Sequence, residues 1–192
     1  FDPLEMNETS FCLTDVQLGR LMTLYGKQTL SDLPPLRRLE HELEEQDPSQ
    51  SHPTQSNDFR RGGFGLYSTI SDYCRFSRML LTGKTLDDQV LLSPTSLEMM
   101  HGNRVPDQNL PLRIGDSALP GYGWNLSGRV MIDTSKALFP HATLNEFGWA
   151  GAASTFFWVD PDNQITGVIM TQFIGSTYLL ADDMITAFYA ES

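Results

Sequence analysis

Apolar residues recur at helical spacing in several stretches of the chain and gather into short extended runs in its last third. Thr14 and Gln17 form a capping box, which predicts a helix that buries Leu18, Leu21, Met22 and Tyr25. Leu36, Leu39 and Leu43 repeat at helical spacing beside Glu40, Glu42, Glu44 and Glu45, a short helix with one solvated acidic face. Residues 47–58, DPSQSHPTQSND, hold two prolines and almost nothing apolar, so a mobile surface loop is expected there. A stronger helix starts with Ser71 as its cap, places Tyr73, Phe76 and Leu80 on one face, and ends at Gly83 as a left-handed terminator. Ser93 followed by Pro94 opens another helix, which closes near Gly102.

Extended structure is predicted from Gly121 onward. The segment 121–133, GYGWNLSGRVMID, is aromatic and β-branched in patches. Phe147 to Ala150, Thr155 to Val159 and Ile165 to Gln172 read as consecutive antiparallel strands, the last two joined by a turn at Asp160-Pro161-Asp162-Asn163. Val168, Ile169 and Met170 do not alternate with polar residues, so that strand is expected to be covered on both faces. Tyr178 to Ala190 closes the chain as a helix with Tyr178, Ile185 and Phe188 available to pack on the sheet. By length the chain is one large domain or two small ones, and its order of elements, helices, then antiparallel strands, then a last helix, is of the α+β kind.

Composition narrows the function classes. With 13 Lys plus Arg against 24 Asp plus Glu, the 192 residues carry a formal charge of −11, which disfavours a nucleic-acid partner. No apolar run reaches the length of a membrane span. Cys12 and Cys74 are the only cysteines, so there is no disulfide framework, and a single bridge is left open. The start, Phe-Asp-Pro-Leu-Glu-Met, has neither an initiator methionine nor a signal-peptide pattern, and the chain is expected to begin mid-protein.

A search for catalytic chemistry is mostly negative. A hydrolase needs a hydroxyl or thiol with a base beside it. The chain has no G-x-S-x-G and no S-x-x-K, since Lys27, Lys84 and Lys136 lack a serine three positions earlier. Cys74 falls within a helix and is expected to pack there. His41, His52, His101 and His141 are scattered without metal-ligand spacing, so they are expected on the surface or in loops, and neither a metal nor a cofactor is implied. Gly62, Gly63 and Gly65 lack the spacing of a nucleotide loop. Asn7 and Asn125 each open a glycosylation acceptor pattern, at a frequency chance would produce. The run from Phe147 to Thr155, FGWAGAAST, differs in kind: a strand edge crowded with Gly and Ala lets another molecule's backbone approach and leaves amide N–H groups accessible. Tight packing of a helix on the sheet would use the same small residues.

Four segments in order, FDPLEMNETSF, GGFGLYSTISDYCRFSRMLLTG, LLSPTSLEMM and FGWAGAASTFFWVDPDNQITGVIMTQ, together resemble the C-terminal half of the serine β-lactamase-like esterases. That group is related to class C β-lactamases and penicillin-binding proteins. Glu5 stands where the first segment usually has glycine.

The resemblance implies an α+β fold of the β-lactamase/transpeptidase-like kind, an antiparallel sheet flanked by helices, with residues 1–192 as the C-terminal portion of a single domain, and a serine acyl hydrolase acting on a small ester or amide through an acyl-enzyme. In such proteins the nucleophile and its lysine lie in S-x-x-K and a tyrosine in a Y-x-N-type motif. Both motifs are absent from this chain, so no catalytic residue is assigned within it. Trp149-Ala150-Gly151 matches the strand of the Lys-Thr-Gly type that lines the opposite wall, with Trp149, Ala150 and Gly151 as substrate-binding positions. The next amide, that of Ala152, corresponds to one of two oxyanion donors, a type of group worth about 3 kcal/mol at the transition state. Trp149 replaces the cation that holds a β-lactam carboxylate, which points to an esterase more than an antibiotic-degrading enzyme and opposes a penicillin-binding or D-amino-acid peptidase relative. A core aromatic is the other role open to Trp149. A non-catalytic binding or scaffold protein of the same fold is the rival from another class. The resembled fold draws its first two strands from the N-terminus, so about three strands, near Phe147, Phe157 and Val168, are expected to remain here. A missing N-terminal segment, a companion chain or an oligomer would have to cover them.

Overall fold

The computed structural model describes residues 1–26, 45–46, 54, 60, 62–63, 65–137, 141–174 and 180–190. The acidic helix expected around Leu36 to Leu43, His41, His52, Tyr178 and, apart from Thr54, the polar loop 47–58 lie outside these residues.

The centre is a five-stranded antiparallel meander of β5 (Tyr122–Trp124), β6 (Arg129–Met131), β7 (Phe147–Ala150), β8 (Phe156–Asp160) and β9 (Ile165–Ile169), each paired with its sequence neighbour. Five strands stand where about three were expected. The two extra ones come from the glycine-rich segment 121–133, whose hairpin turn lets it fold back and extend the sheet.

Strand β8, FFWVD, is buried at all five positions because both faces of the sheet are covered. Phe157 and Val159 face α2 (Ile70–Thr82), joining Leu80, Phe147 and Val130, with Tyr73, Phe76 and Val168 packed around them. Phe156 and Trp158 face α4 (Leu180–Ala190), joining Ile169 and Ile185, with Tyr189 alongside. Val168 and Ile169 therefore serve opposite cores, as the unalternating pattern predicts. Gly167 lies under the indole of Trp158, where a Cβ would come within 2.0 Å of the ring.

Helix α2 is capped by Thr69, not Ser71: the Thr69 hydroxyl accepts from the Asp72 N–H, and Gly83 ends the helix at φ +72°. Asp72 in the first turn is buried and gathers the chain's start, accepting from the Glu8 N–H at 2.9 Å and the Thr9 hydroxyl at 2.8 Å. A carboxylate there is also favoured by the helix dipole. Cys74 is exposed on this helix, not packed, as is Cys12 in the N-terminal segment. Helix α3 (Pro94–His101) has Ser93 as its cap and stops at Gly102, as predicted.

Three further expectations change. The capping box of Thr14 and Gln17 forms, but α1 (Asp15–Leu18) lasts one turn. Met22 is exposed, and Tyr25 belongs to strand β1 (Leu24–Gly26), which pairs with β2 (Glu45–Gln46) and, in parallel, with β10 (Phe173–Ile174). Glu45 thus lies in a strand instead of on a helical face. On α4, Ile185 is buried while Phe188 is half-exposed, its ring meeting Trp158 edge-on at 6.2 Å. A hairpin of β3 (Leu112–Ile114) and β4 (Ser117–Leu119) stands apart from the main sheet.

Candidate functional site

The small-residue segment emerges at the end of β7 as a tight turn into β8. The Gly151 N–H donates to the Thr155 carbonyl at 2.8 Å and the Ser154 N–H to the Gly151 carbonyl at 3.1 Å. Ser154 takes a left-handed conformation, φ +59°, which is unusual for a residue with a side chain. Its hydroxyl donates to the Phe173 carbonyl at 2.9 Å. The Thr171 hydroxyl and the Phe173 N–H both donate to the Ala153 carbonyl, at 2.5 and 3.3 Å. These bonds fasten the back of the turn to the segment before β10. Ala150, Gly151 and Ala152 are exposed on the other side, and the Ala152 N–H meets no acceptor among the described residues. Thr155 explains Gly151, since a Cβ at 151 would sit 2.2 Å from the threonine hydroxyl.

Trp149 is half-buried and packs against the α2-side core, leaving part of its surface exposed. Its exposed neighbourhood contains Trp124, whose ring meets it edge-to-face with centroids 4.5 Å apart at 72°. Trp124 was not singled out from sequence. The signal was there in GYGWN, an aromatic at the end of a short strand before a glycine-containing turn.

The two described histidines, His101 and His141, make their contacts elsewhere. His101 is the last residue of α3 and is no surface histidine: its Nε2 lies 2.7 Å from the Leu80 carbonyl and its ring packs at 5.1 Å on Phe147. His141 stacks on Tyr189 at 6.4 Å. Among the described residues no group of His, Cys, Asp and Glu could hold a metal ion. Asn125 is buried and its side-chain oxygen accepts from the Ser127 and Gly128 N–H groups, so it is a turn residue and no glycan acceptor.

At the opposite end of β8 a buried polar cluster faces α4. Asp160 accepts from the Asn163 N–H and side-chain amide, the Thr143 hydroxyl and the Tyr189 hydroxyl, at 2.7–3.0 Å. Burial opposes ionisation of Asp160, but these donors outweigh it and hold its carboxyl below the usual carboxylate range. Burial, reinforced by the bond to Asp160, raises the Tyr189 hydroxyl. Glu146 is pushed up to about 7 by burial, with Arg129 partly offsetting and Asp160 adding to the shift. The cluster sits on the far face of the sheet from Trp149, and its Thr143 and Tyr189 hydroxyls are engaged with Asp160.

The β7–β8 turn therefore carries an exposed run of small residues with one backbone N–H unengaged among the described residues, beside a half-buried indole. A protein of Mycobacterium tuberculosis H37Rv, Rv1367c, is 32% identical over 173 residues, which is 88% of this chain and 40% of the relative. The chain thus spans well under half the length of that curated relative. Among solved structures, EstCE1, described as a hydrolase with promiscuous acyltransferase activity, superposes with a TM-score of 0.74 at 23% identity, over 98% of this chain and 48% of its own. A penicillin-binding protein homologue from Caulobacter crescentus superposes at 0.61 with 19% identity, over the whole of this chain and half of its own. These likenesses establish the fold, a β-lactamase/transpeptidase-like arrangement of which the chain covers about half. The beta-lactamase profile itself matches residues 1–188, and on that match the chain belongs to the beta-lactamase family.

Proposed function

We propose that the complete protein is a serine acyl hydrolase of carboxylesterase type, in which these residues supply one wall of the site and one oxyanion donor. The observation that carries this reading is the exposed Ala152, whose N–H meets no acceptor among the described residues, on a turn pinned from behind. In the proposed reaction a serine hydroxyl from outside the 192 residues attacks the ester carbonyl carbon, and the carbonyl oxygen gathers negative charge. The Ala152 N–H meets that charge without having to reorganise, which is where such donors act. The C–O bond to the alcohol breaks, the alcohol takes a proton, and water then cleaves the acyl-enzyme. Trp149, Ala150 and Gly151 line the approach to the donor. That the EstCE1 relative both hydrolyses and transfers acyl groups is in keeping with an acyl-enzyme, since water and another acceptor can compete for it.

The isolated chain should hydrolyse neither a short nitrophenyl ester nor a chromogenic cephalosporin above background, while the complete protein should hydrolyse the ester. Labelling of a serine in the isolated chain by a fluorophosphonate at active-site rates would overturn the assignment. A complete sequence lacking S-x-x-K and Y-x-N would turn it toward a binding or scaffold protein.

The outer edge of β9 has no partner among the described residues. We infer that a strand from outside the chain covers it, because an open edge with Ile165, Val168 and Ile169 on it is a template for association. Light scattering on the isolated chain should show association, and a stable monomer with a cooperative melt and no binding of an apolar dye would refute this.

A further inference from the structure

We propose that Trp124 is a specificity-determining residue that forms, with Trp149, a rigid aromatic corner selecting esters whose acyl group carries a ring. This deepens the acyl-hydrolase assignment above and rests on it.

The first support is placement. Arg129 pairs with Gly148 and Val130 with Phe147, so continuing the register sets the β5–β6 hairpin tip alongside Ala150 and the turn that carries the Ala152 N–H. Gly128 lies flat against β7: a Cβ there would come within 2.4 Å of the Gly148 carbonyl oxygen and 3.1 Å of the Trp149 Cβ. Because no side chain intervenes at 128, the Trp124 indole reaches Trp149 across the end of the hairpin.

The second support is rigidity. The Trp124 N–H donates to the Asn103 side-chain oxygen at 3.1 Å, and its carbonyl accepts from the Arg104 N–H at 2.7 Å. Asn103 is itself held by both the N–H and carbonyl of Val105, at 3.0 and 2.9 Å. The tip is closed by the Asn125 N–H to the Gly128 carbonyl at 2.9 Å and by the Asn125 side chain. A corner held in this way discriminates by shape, since its aromatic edges and faces pay little ordering entropy when a ligand arrives.

The third support is polarity. Both indoles are half-buried, and Leu126 on the tip is 61% exposed. Arg129, the cross-strand partner of Trp124, is drawn over the Tyr122 ring at 4.6 Å and the Phe156 ring at 5.1 Å, on the opposite face of the sheet from Trp149. A flat apolar acyl group is therefore matched here, and a charged one is not.

The test compares nitrophenyl phenylacetate with nitrophenyl acetate on the complete protein. The wild type should favour phenylacetate in kcat/KM, and Trp124→Leu should lower that preference about tenfold, the scale on which apolar pocket contacts discriminate. Trp124→Phe, which keeps an aromatic and serves if the leucine variant misfolds, should lower it by less. Combining Trp124→Leu with Trp149→Leu should cost less than the two single losses multiplied, because the corner works as one unit. An unchanged preference in a folded Trp124 variant that still hydrolyses esters would overturn this proposal and leave the hydrolase assignment standing. Failure of the wild-type complete protein to hydrolyse either ester, with no serine labelled by fluorophosphonate, would overturn both.

Discussion

The two turns at the ends of β8 are built alike and finished differently. Each joins neighbouring antiparallel strands, and each forces a residue with a side chain into the left-handed region, Ser154 at φ +59° in one and Gln164 at φ +58° in the other. At Asp160–Asn163 a buried carboxylate absorbs four donors, so the turn is closed and its polarity is spent on holding α4 and the 143 region to the sheet. At Gly151–Thr155 the turn opens with Gly151, Ala152 and Ala153, no side chain among the described residues turns back to the backbone at 152, and the N–H of the exposed Ala152 is left without an acceptor among them. A turn that serves stability consumes its own hydrogen-bonding capacity. The turn proposed to meet a ligand leaves one donor unspent.

The largest test of this contrast removes the closed turn's acceptor. Asp160→Ala removes the shared acceptor of the Tyr189 and Thr143 hydroxyls and the Asn163 amide, and should cost about 4 kcal/mol of stability in the complete protein. The folded fraction should keep its ester turnover. A loss of turnover per folded molecule, with little change in the melt, would place the chemistry at the wrong end of β8.

A smaller effect is expected from Glu146, whose Oε2 is buried and meets no hydrogen-bond partner among the described residues. Its folded value of about 7 lies above the unfolded 4.5, so below pH 4.5 both states are protonated and nothing is lost. As the pH rises to 7 the unfolded chain releases its proton first and stability falls. Above 7 the full penalty applies, at most about 3 kcal/mol. Glu146→Gln should therefore raise the melting temperature at pH 8 and leave it unchanged at pH 4. Parallel melting profiles for the two proteins across that window would show that Glu146 is not held protonated.

The open turn is probed by Ala152→Pro, which deletes the backbone N–H at 152 and should lower ester turnover of the complete protein by about a hundredfold, just under 3 kcal/mol. Ala152→Gly keeps the N–H and should stay within a few-fold. Equal losses in the two variants at unchanged folding would put the donor elsewhere.

Much of this architecture is legible in the amino-acid order because it rests on local chemistry. FGWA, FFWVD and ITGVI carry the β-branched and aromatic runs of buried strands, and Gly83 and Ser93 punctuate helices by their own conformational preferences. What was missed depends on distant partners. Tyr25 sits at helical spacing from Leu18 and Leu21, yet it is held extended by Phe173, almost 150 residues away. Cys74 looks like any small helical residue until the helix is rotated by the contacts of Tyr73, Phe76 and Leu80. At the site, the position of Ala152 follows from its neighbours in sequence, but the meeting of Trp124 with Trp149 needed the strand order and a bare Gly128.

Gly167 and Trp158 have a bearing on how such a sheet can change over generations. Any side chain at 167 collides with the indole, and any shrinking of the indole leaves a hollow beneath α4. Neither residue can therefore drift by itself. An alanine at 167 should become tolerable only after 158 has shortened, so the two should be exchanged as a pair and in that order, with the intermediate carrying an unfilled cavity and not a clash.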